Sequence, residues 1–155
     1  MLKGGEFLIK GQDPSTVFTP EQFDEEQKMI ADMCLEFMEA QIDPNLDRMD
    51  KLEEGLMESL LKEAGQLGLL GTGLPEAYGG FDKDEITLML QTEILGAGHS
   101  FAVAYAAHTG IGTLPIFYYG TDAQKEKYLP KLASGEWLGA YCLTEPDSGS
   151  DARAA

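Results

Sequence analysis

The run YCLTEPDSGSD, Tyr141 to Asp151, holds the residues of this 155-residue chain best suited to chemistry. Thr144 and Ser150 supply hydroxyls, Pro146 fixes a turn, and Gly149 lacks a Cβ, so a ligand can approach the backbone closely. The amides of such a turn can cradle an anion. The same composition also suits an ordinary polar turn. Elsewhere the chain has no Ser/His/Asp or Cys/His order that points to a nucleophile, no GxxxxGK[ST] phosphate loop and no GxGxxG between a strand and a helix. His99 and His108 are its two imidazoles, and neither has a Cys, Asp or Glu at ligand spacing, so both read as packing or capping residues and no metal site is expected. Carboxylates are plentiful, but solvated pairs are not poised acids or bases.

Several elements must position that loop. Thr19, Pro20 and Gln22 form a capping pattern, and Phe23, Ile30, Met33, Cys34, Phe37 and Ile42 recur at helical spacing. The pattern predicts a helix from Pro20 to about Gln41, ahead of Pro44. Leu56, Leu60, Leu61, Ala64 and Leu67 predict a second amphipathic helix that ends in the Gly/Pro-rich stretch Leu67 to Gly80. Asp82 and Glu85 resemble a capping box opening a helix through Ile86, Met89, Leu90, Ile94 and Leu95. The window Ser100 to Tyr119 is the most apolar, yet His108, Thr109, Gly110, Gly112 and Pro115 interrupt it. A membrane span needs about 20 predominantly apolar residues, so the expectation is a helix buried on all sides. Thr121 and Gln124 open a polar helix that ends near Pro130. Only WLGAYCL, Trp137 to Leu143, reads as a strand.

A lone strand cannot form a sheet. The expected fold class is therefore all-α: a helical domain over 1–136, with an extended arm over 1–18. Residues 137–155 are expected to be the first strand and ligand loop of an otherwise missing β-domain.

The composition limits the partners. Eleven Lys+Arg against 27 Asp+Glu give a formal charge of -16, a field that repels nucleic acid and anionic lipid. Acids crowd between Glu21 and Glu54, opposed only by Lys28, Arg48 and Lys51. They read as a solvated helix face, with an acidic docking surface as the alternative. Cys34 and Cys142 lack CxxC spacing and read as reduced core residues. The N-terminus lacks the features of a signal or transit peptide, so a cytoplasmic location is expected.

Tyr141–Asp151 closely resembles the flavin-binding signature of the acyl-CoA dehydrogenases, a Leu/Val-Thr-Glu-Pro run followed by two small residues and Gly-Ser-Asp. The likeness extends through AHTGIGTLPIFYYGTDAQKEKYLPKLASGE (Ala107 to Glu136), LGLLGTGLPEAYGG, the opening helix and KGGEFLI near the N-terminus. It is closest in flavour to the long-chain and very-long-chain branch. The resemblance implies an N-terminal helical domain, a middle β-domain and a C-terminal four-helix bundle, with FAD and an acyl thioester held between them. By position, Tyr141, Cys142, Leu143 and Thr144 would meet the flavin ring. Gly149 and Ser150 would lie by its pyrophosphate, with Ser150 also near the CoA part of the substrate. The stretch Ser100 to Gly112 matches the wall of the acyl tunnel, where Val103, Ala104, Ala106, Ala107 and Gly110 offer room for a long chain. The direction of Tyr105 is left open.

The implied reaction is α,β-desaturation of a fatty acyl-CoA in β-oxidation. A Glu takes the α-proton while hydride leaves for the flavin. That Glu has no counterpart in these residues, so the 155 residues alone are expected to be inactive and not to hold FAD. The implied partners are the acyl-CoA substrate, an electron-transferring flavoprotein and further copies of the full-length chain. Asp147 departs from the signature by adding a negative charge. The alternatives are an acyl-CoA oxidase-like flavoenzyme and a non-enzymatic helical binding or assembly module.

Overall fold

Asp24, rather than Thr19, starts the first α-helix. In the computed structural model, which describes residues 6, 8–11, 13, 15 and 17–154, α1 spans Glu25–Phe37. The Asp24 carboxylate accepts the Gln27 amide at 2.8 Å, and the Gln27 side-chain oxygen accepts the Asp24 amide at 3.1 Å. The expected start is displaced because Pro20–Gln22 closes only a 3₁₀ turn, after which Phe23 takes a non-helical ψ of 131°. Much of the expected arm over 1–18, including most of KGGEFLI, lies outside the described residues.

The helix path continues through a π turn, Met38–Ile42, and a 3₁₀ turn, Asp43–Asn45, which carries the chain past Pro44 into α2, Leu46–Asp50. The acids of this region stand exposed, as a solvated face requires. Helix α3, Leu56–Gln66, buries Leu56, Leu60, Leu61 and Ala64 as its spacing predicts. Leu67 is instead exposed, because it lies past the last helical residue.

The Gly/Pro-rich stretch does more than turn. Leu69, Leu70 and Leu74 are buried, and Gly80 passes so close to the Leu74 carbonyl that a side chain would overlap it. Helix α4, Glu85–Leu95, departs from expectation in its cap. Asp82 has φ +51°, so Asp84 takes the cap and accepts the Thr87 amide at 2.9 Å. The buried face is Thr87, Gln91 and Leu95, while Ile86 and Met89 are exposed. Distant partners make polar burial tolerable there. Gln27 Nε2 donates to Thr87 Oγ1 at 3.3 Å, and Gln91 Nε2 donates to the Leu69 carbonyl at 2.8 Å.

The apolar window divides into α5, Ser100–Ala106, a π turn, Ala107–Gly112, and α6, Leu114–Tyr119. It is buried on one side only. Phe101, Tyr105, His108 and Thr113 face inward, whereas Val103 is 71% and Ile111 51% exposed. Helix α7, Asp122–Ala133, opens with the expected Thr121/Gln124 box and runs one turn beyond expectation, through Pro130, as Leu132 and Ala133 bury. Among the described residues no helix is long and apolar enough to cross a membrane.

The main core gathers Cys34, Phe37, Ile42, Leu60, Leu69, Leu95 and Phe101, with Phe37 and Phe101 rings 5.6 Å apart. Burying one such phenylalanine contributes about 2–3 kcal/mol. A second cluster joins Leu74 to Leu129, Leu132 and Ala133 of α7. The fold is all-α. The expected strand at Trp137 to Leu143 is absent, because no neighbouring strand among the described residues offers it a ladder; the one bridge, Glu145 with Ser148, lies within a turn.

Candidate functional site

The loop is reached through an anchored linker. The Trp137 amide donates to the Lys131 carbonyl at 3.0 Å, and its indole lies 5.8 Å from the Tyr128 ring, with the Lys131 ammonium 4.6 Å from the indole centroid. Leu138 packs against the main core. The Gly139 amide then donates to His108 Nδ1 at 2.9 Å. At this point Gly139 and Gly112 cross backbone to backbone: a Cβ on Gly112 would stand 2.9 Å from the Gly139 carbonyl carbon.

Beyond the anchor the chain is open. Tyr141, Cys142, Leu143 and Thr144 are all exposed. Cys142 therefore departs from the expected core position, since the sheet that would bury it is not among the described residues. Cys34 does sit in the core, where burial pushes its thiol up to about 12. Glu145 and Ser148 close a tight turn, each amide donating to the other's carbonyl, at 2.9 and 3.1 Å. Ser148 is buried, and its hydroxyl donates to the Asp151 carbonyl at 2.8 Å. Gly149 faces open space, and Gly149, Ser150 and Asp147 are exposed. Among the described residues, the amides of Tyr141 to Thr144, Gly149 and Ser150 and the hydroxyls of Thr144 and Ser150 make no hydrogen bond. A turn of fixed shape thus carries unspent donors on both flanks.

The other candidate residues lie on the outer face of α5 and the π turn that follows it. Val103, Ala107 and Ile111 recur at four-residue spacing, with Ala107 half-buried and Ala104 half-buried against the core. A separate cavity of about 320 Å³ opens between α4, α5, α6 and residues 69–74, lined in part by Tyr105, Ala106, Thr109, Gly110, Leu88 and Phe117. Val103, Ala104 and Ala107 are not in its lining. The direction of Tyr105 is now fixed. Its hydroxyl donates to the Leu69 carbonyl at 3.2 Å and accepts from Gln91 Nε2 at 2.7 Å, and burial pushes the phenol well above its ordinary range.

Three residues of this region escape a reading by motif. Ile111, Gln91 and His108 carry no local signature, and the two polar ones matter through partners distant in sequence. His99, at the start of α5, is exposed with φ +51° and makes no capping hydrogen bond. No group of three or more potential metal ligands occurs among the described residues.

Comparison with known proteins places these elements in a family. Residues 24–136 match the family model for the acyl-CoA dehydrogenase N-terminal domain. The chain is 48% identical over 153 residues to a probable acyl-CoA dehydrogenase of Bacillus subtilis (strain 168), spanning 99% of this chain and 26% of that relative. It is 40% identical over 154 residues to the mitochondrial very long-chain specific acyl-CoA dehydrogenase of Macaca fascicularis, across 94% of this chain and 23% of the relative. A crystal structure of an acyl-CoA dehydrogenase complexed with FAD from Bacillus anthracis matches with a TM-score of 0.90 and 47% identity, over 100% of this chain and 27% of that one. The chain spans about a quarter of the length of these relatives. With residues 24–136 matched by the family model, the chain belongs to the acyl-CoA dehydrogenase family and carries its N-terminal helical domain.

Proposed function

We propose that the chain is the N-terminal part of an FAD-dependent acyl-CoA dehydrogenase that desaturates fatty acyl-CoA, and that it supplies two components of the site. One is the loop from Tyr141 to Ser150, which holds the flavin. The other is the α5 face of Val103, Ala104 and Ala107, which forms part of the acyl-chain wall. The boundary between the helical domain and the flavin-binding region falls at 136–137.

The observation that carries this reading is the set of unspent donors on the loop. They fit a flavin: the Thr144 hydroxyl and the amides of 141–144 suit the polar edge of its ring, while open Gly149 and the Ser150 hydroxyl suit a pyrophosphate. Asp147 is exposed and turns no hydrogen bond toward that region. When bound, FAD supplies the hydride acceptor. The chain's own part is to bind and orient, and donors at the ring's polar edge favour negative charge there. The small side chains of Val103, Ala104 and Ala107 leave room for a long acyl chain, Tyr105 being turned away into the core. The acid–base carboxylate comes from outside these residues. An electron-transferring flavoprotein as acceptor, homo-oligomeric assembly and a cytoplasmic location belong to the same proposal.

Alone, the 155-residue chain purifies without flavin, because half of the site is missing. In the longer protein, Thr144→Val weakens FAD binding by about tenfold, the loss of one well-placed hydrogen bond in a closed site. Unchanged FAD affinity in that variant contradicts the assignment.

A further inference from the structure

The linker that delivers the loop depends on one side chain. His108 is 1% exposed and lies between two backbone groups. Its Nε2 is 3.0 Å from the Leu132 carbonyl at the end of α7, and its Nδ1 is 2.9 Å from the Gly139 amide. A carbonyl only accepts and an amide only donates, so the two partners select the neutral ring with its proton on Nε2. The same π turn that holds His108, Ala107–Gly112, contributes Gly112 to the crossing with Gly139. π turns of this kind recur at functional sites. Beyond Gly139 nothing holds the chain among the described residues until the Glu145–Ser148 turn. Gly139 is therefore the last fixed point before Tyr141 to Thr144, and the outward residues Ala107 and Ile111 belong to the turn that fixes it.

We propose that His108 is a positioning residue for the flavin-facing segment, clasping the Gly139 amide so that residues 141–144 leave the helical domain at a set distance from the acyl wall. This rests on the flavin-binding reading of the loop. The imidazole touches neither flavin nor substrate. Its effect passes through the backbone of the linker.

Two substitutions separate the halves of the clasp. In the longer protein, His108→Asn places an amide oxygen near the position of Nδ1, where it can still accept from Gly139 but cannot reach Leu132. His108→Gln reaches toward Leu132 and releases Gly139. The expected order of FAD affinity, read by flavin fluorescence, is wild type within about threefold of His108→Asn, with His108→Gln weaker by about tenfold. Equal losses in both variants, or none in either, overturn the proposal, because a purely structural histidine makes no such distinction.

Hydrogen exchange of the peptide spanning 137–144 in the apoprotein reads the clasp without flavin. Exchange is expected to speed up in His108→Gln and stay near wild type in His108→Asn; indistinguishable exchange overturns the clasp. If wild type binds no FAD while this exchange difference appears, the flavin reading has failed and the clasp stands. Histidine ¹⁵N NMR of the unsubstituted protein supplies a check that needs no variant: the Nε2–H tautomer is expected, and the Nδ1–H tautomer contradicts it.

Discussion

At Gly80 a methyl group has nowhere to go. A Cβ there would overlap the Leu74 carbonyl and lie 2.6 Å from the Gly71 oxygen, both backbone atoms that cannot swing aside. Gly80→Ala therefore lowers stability by about 2–4 kcal/mol in urea unfolding. At neighbouring Gly79 the constraint is different: φ is +79° and a Cβ would meet nothing within 4 Å. Gly79→Ala costs only the left-handed penalty, about 1 kcal/mol. His108 adds a pH dependence. Burial holds its imidazole below the ordinary value of 6.5, so the unfolded chain takes up a proton that the folded chain refuses. Its contribution is present above that value and is lost as pH falls from about 6.5 toward the lower folded value, with a slope of at most about 1.4 kcal/mol per pH unit. Urea midpoints measured across that window flatten in His108→Asn relative to wild type.

Among the elements, α4 is the sharpest test of how the chain specifies its helices. Asp84 accepts both the amide and the hydroxyl of Thr87, whereas Asp82 lies outside the helix with φ +51°. Asp84→Ala costs about 1 kcal/mol of stability and Asp82→Ala close to none; reversed effects contradict the assigned cap. Local signals revealed α3, the α7 box and the turn at Pro146, since their determinants lie within a few residues. The α4 face was not legible, because Thr87 and Gln91 are buried against Gln27, Leu69 and Tyr105 rather than by their own hydrophobicity. Apolar spacing counts Ile86 and Met89 and cannot see such bonds. The same limit applies to Trp137 to Leu143, where strand-forming residues are present but a strand needs a partner to pair with. For the candidate site, residue types marked the loop. They could not reveal the His108–Gly139 clasp, whose two ends are 31 residues apart.

For the whole molecule, the distribution of exposed apolar surface matters more than its amount. Val103 stands out from α5, Ile111 from the π turn after it, and Tyr141 and Leu143 from the loop, while the acidic α1 exposes Met29 and Leu35 beside its carboxylates and α6 exposes Tyr118 and Tyr119. Val103, Tyr141 and Leu143 belong to the segments proposed for acyl chain and flavin, which puts the proposed reacting centre on the side of the helical domain where the linker is anchored to the π turn after α5. Its central claim is that the chain forms part of a flavin site that oxidises a fatty acyl-CoA. The most direct measurement is an anaerobic titration of the purified longer protein with palmitoyl-CoA, following the visible flavin absorbance. The account predicts a flavin-loaded protein whose oxidised band bleaches as the enoyl-CoA forms. A protein that carries no flavin, or whose flavin stays oxidised with acyl-CoA thioesters of every chain length, contradicts it.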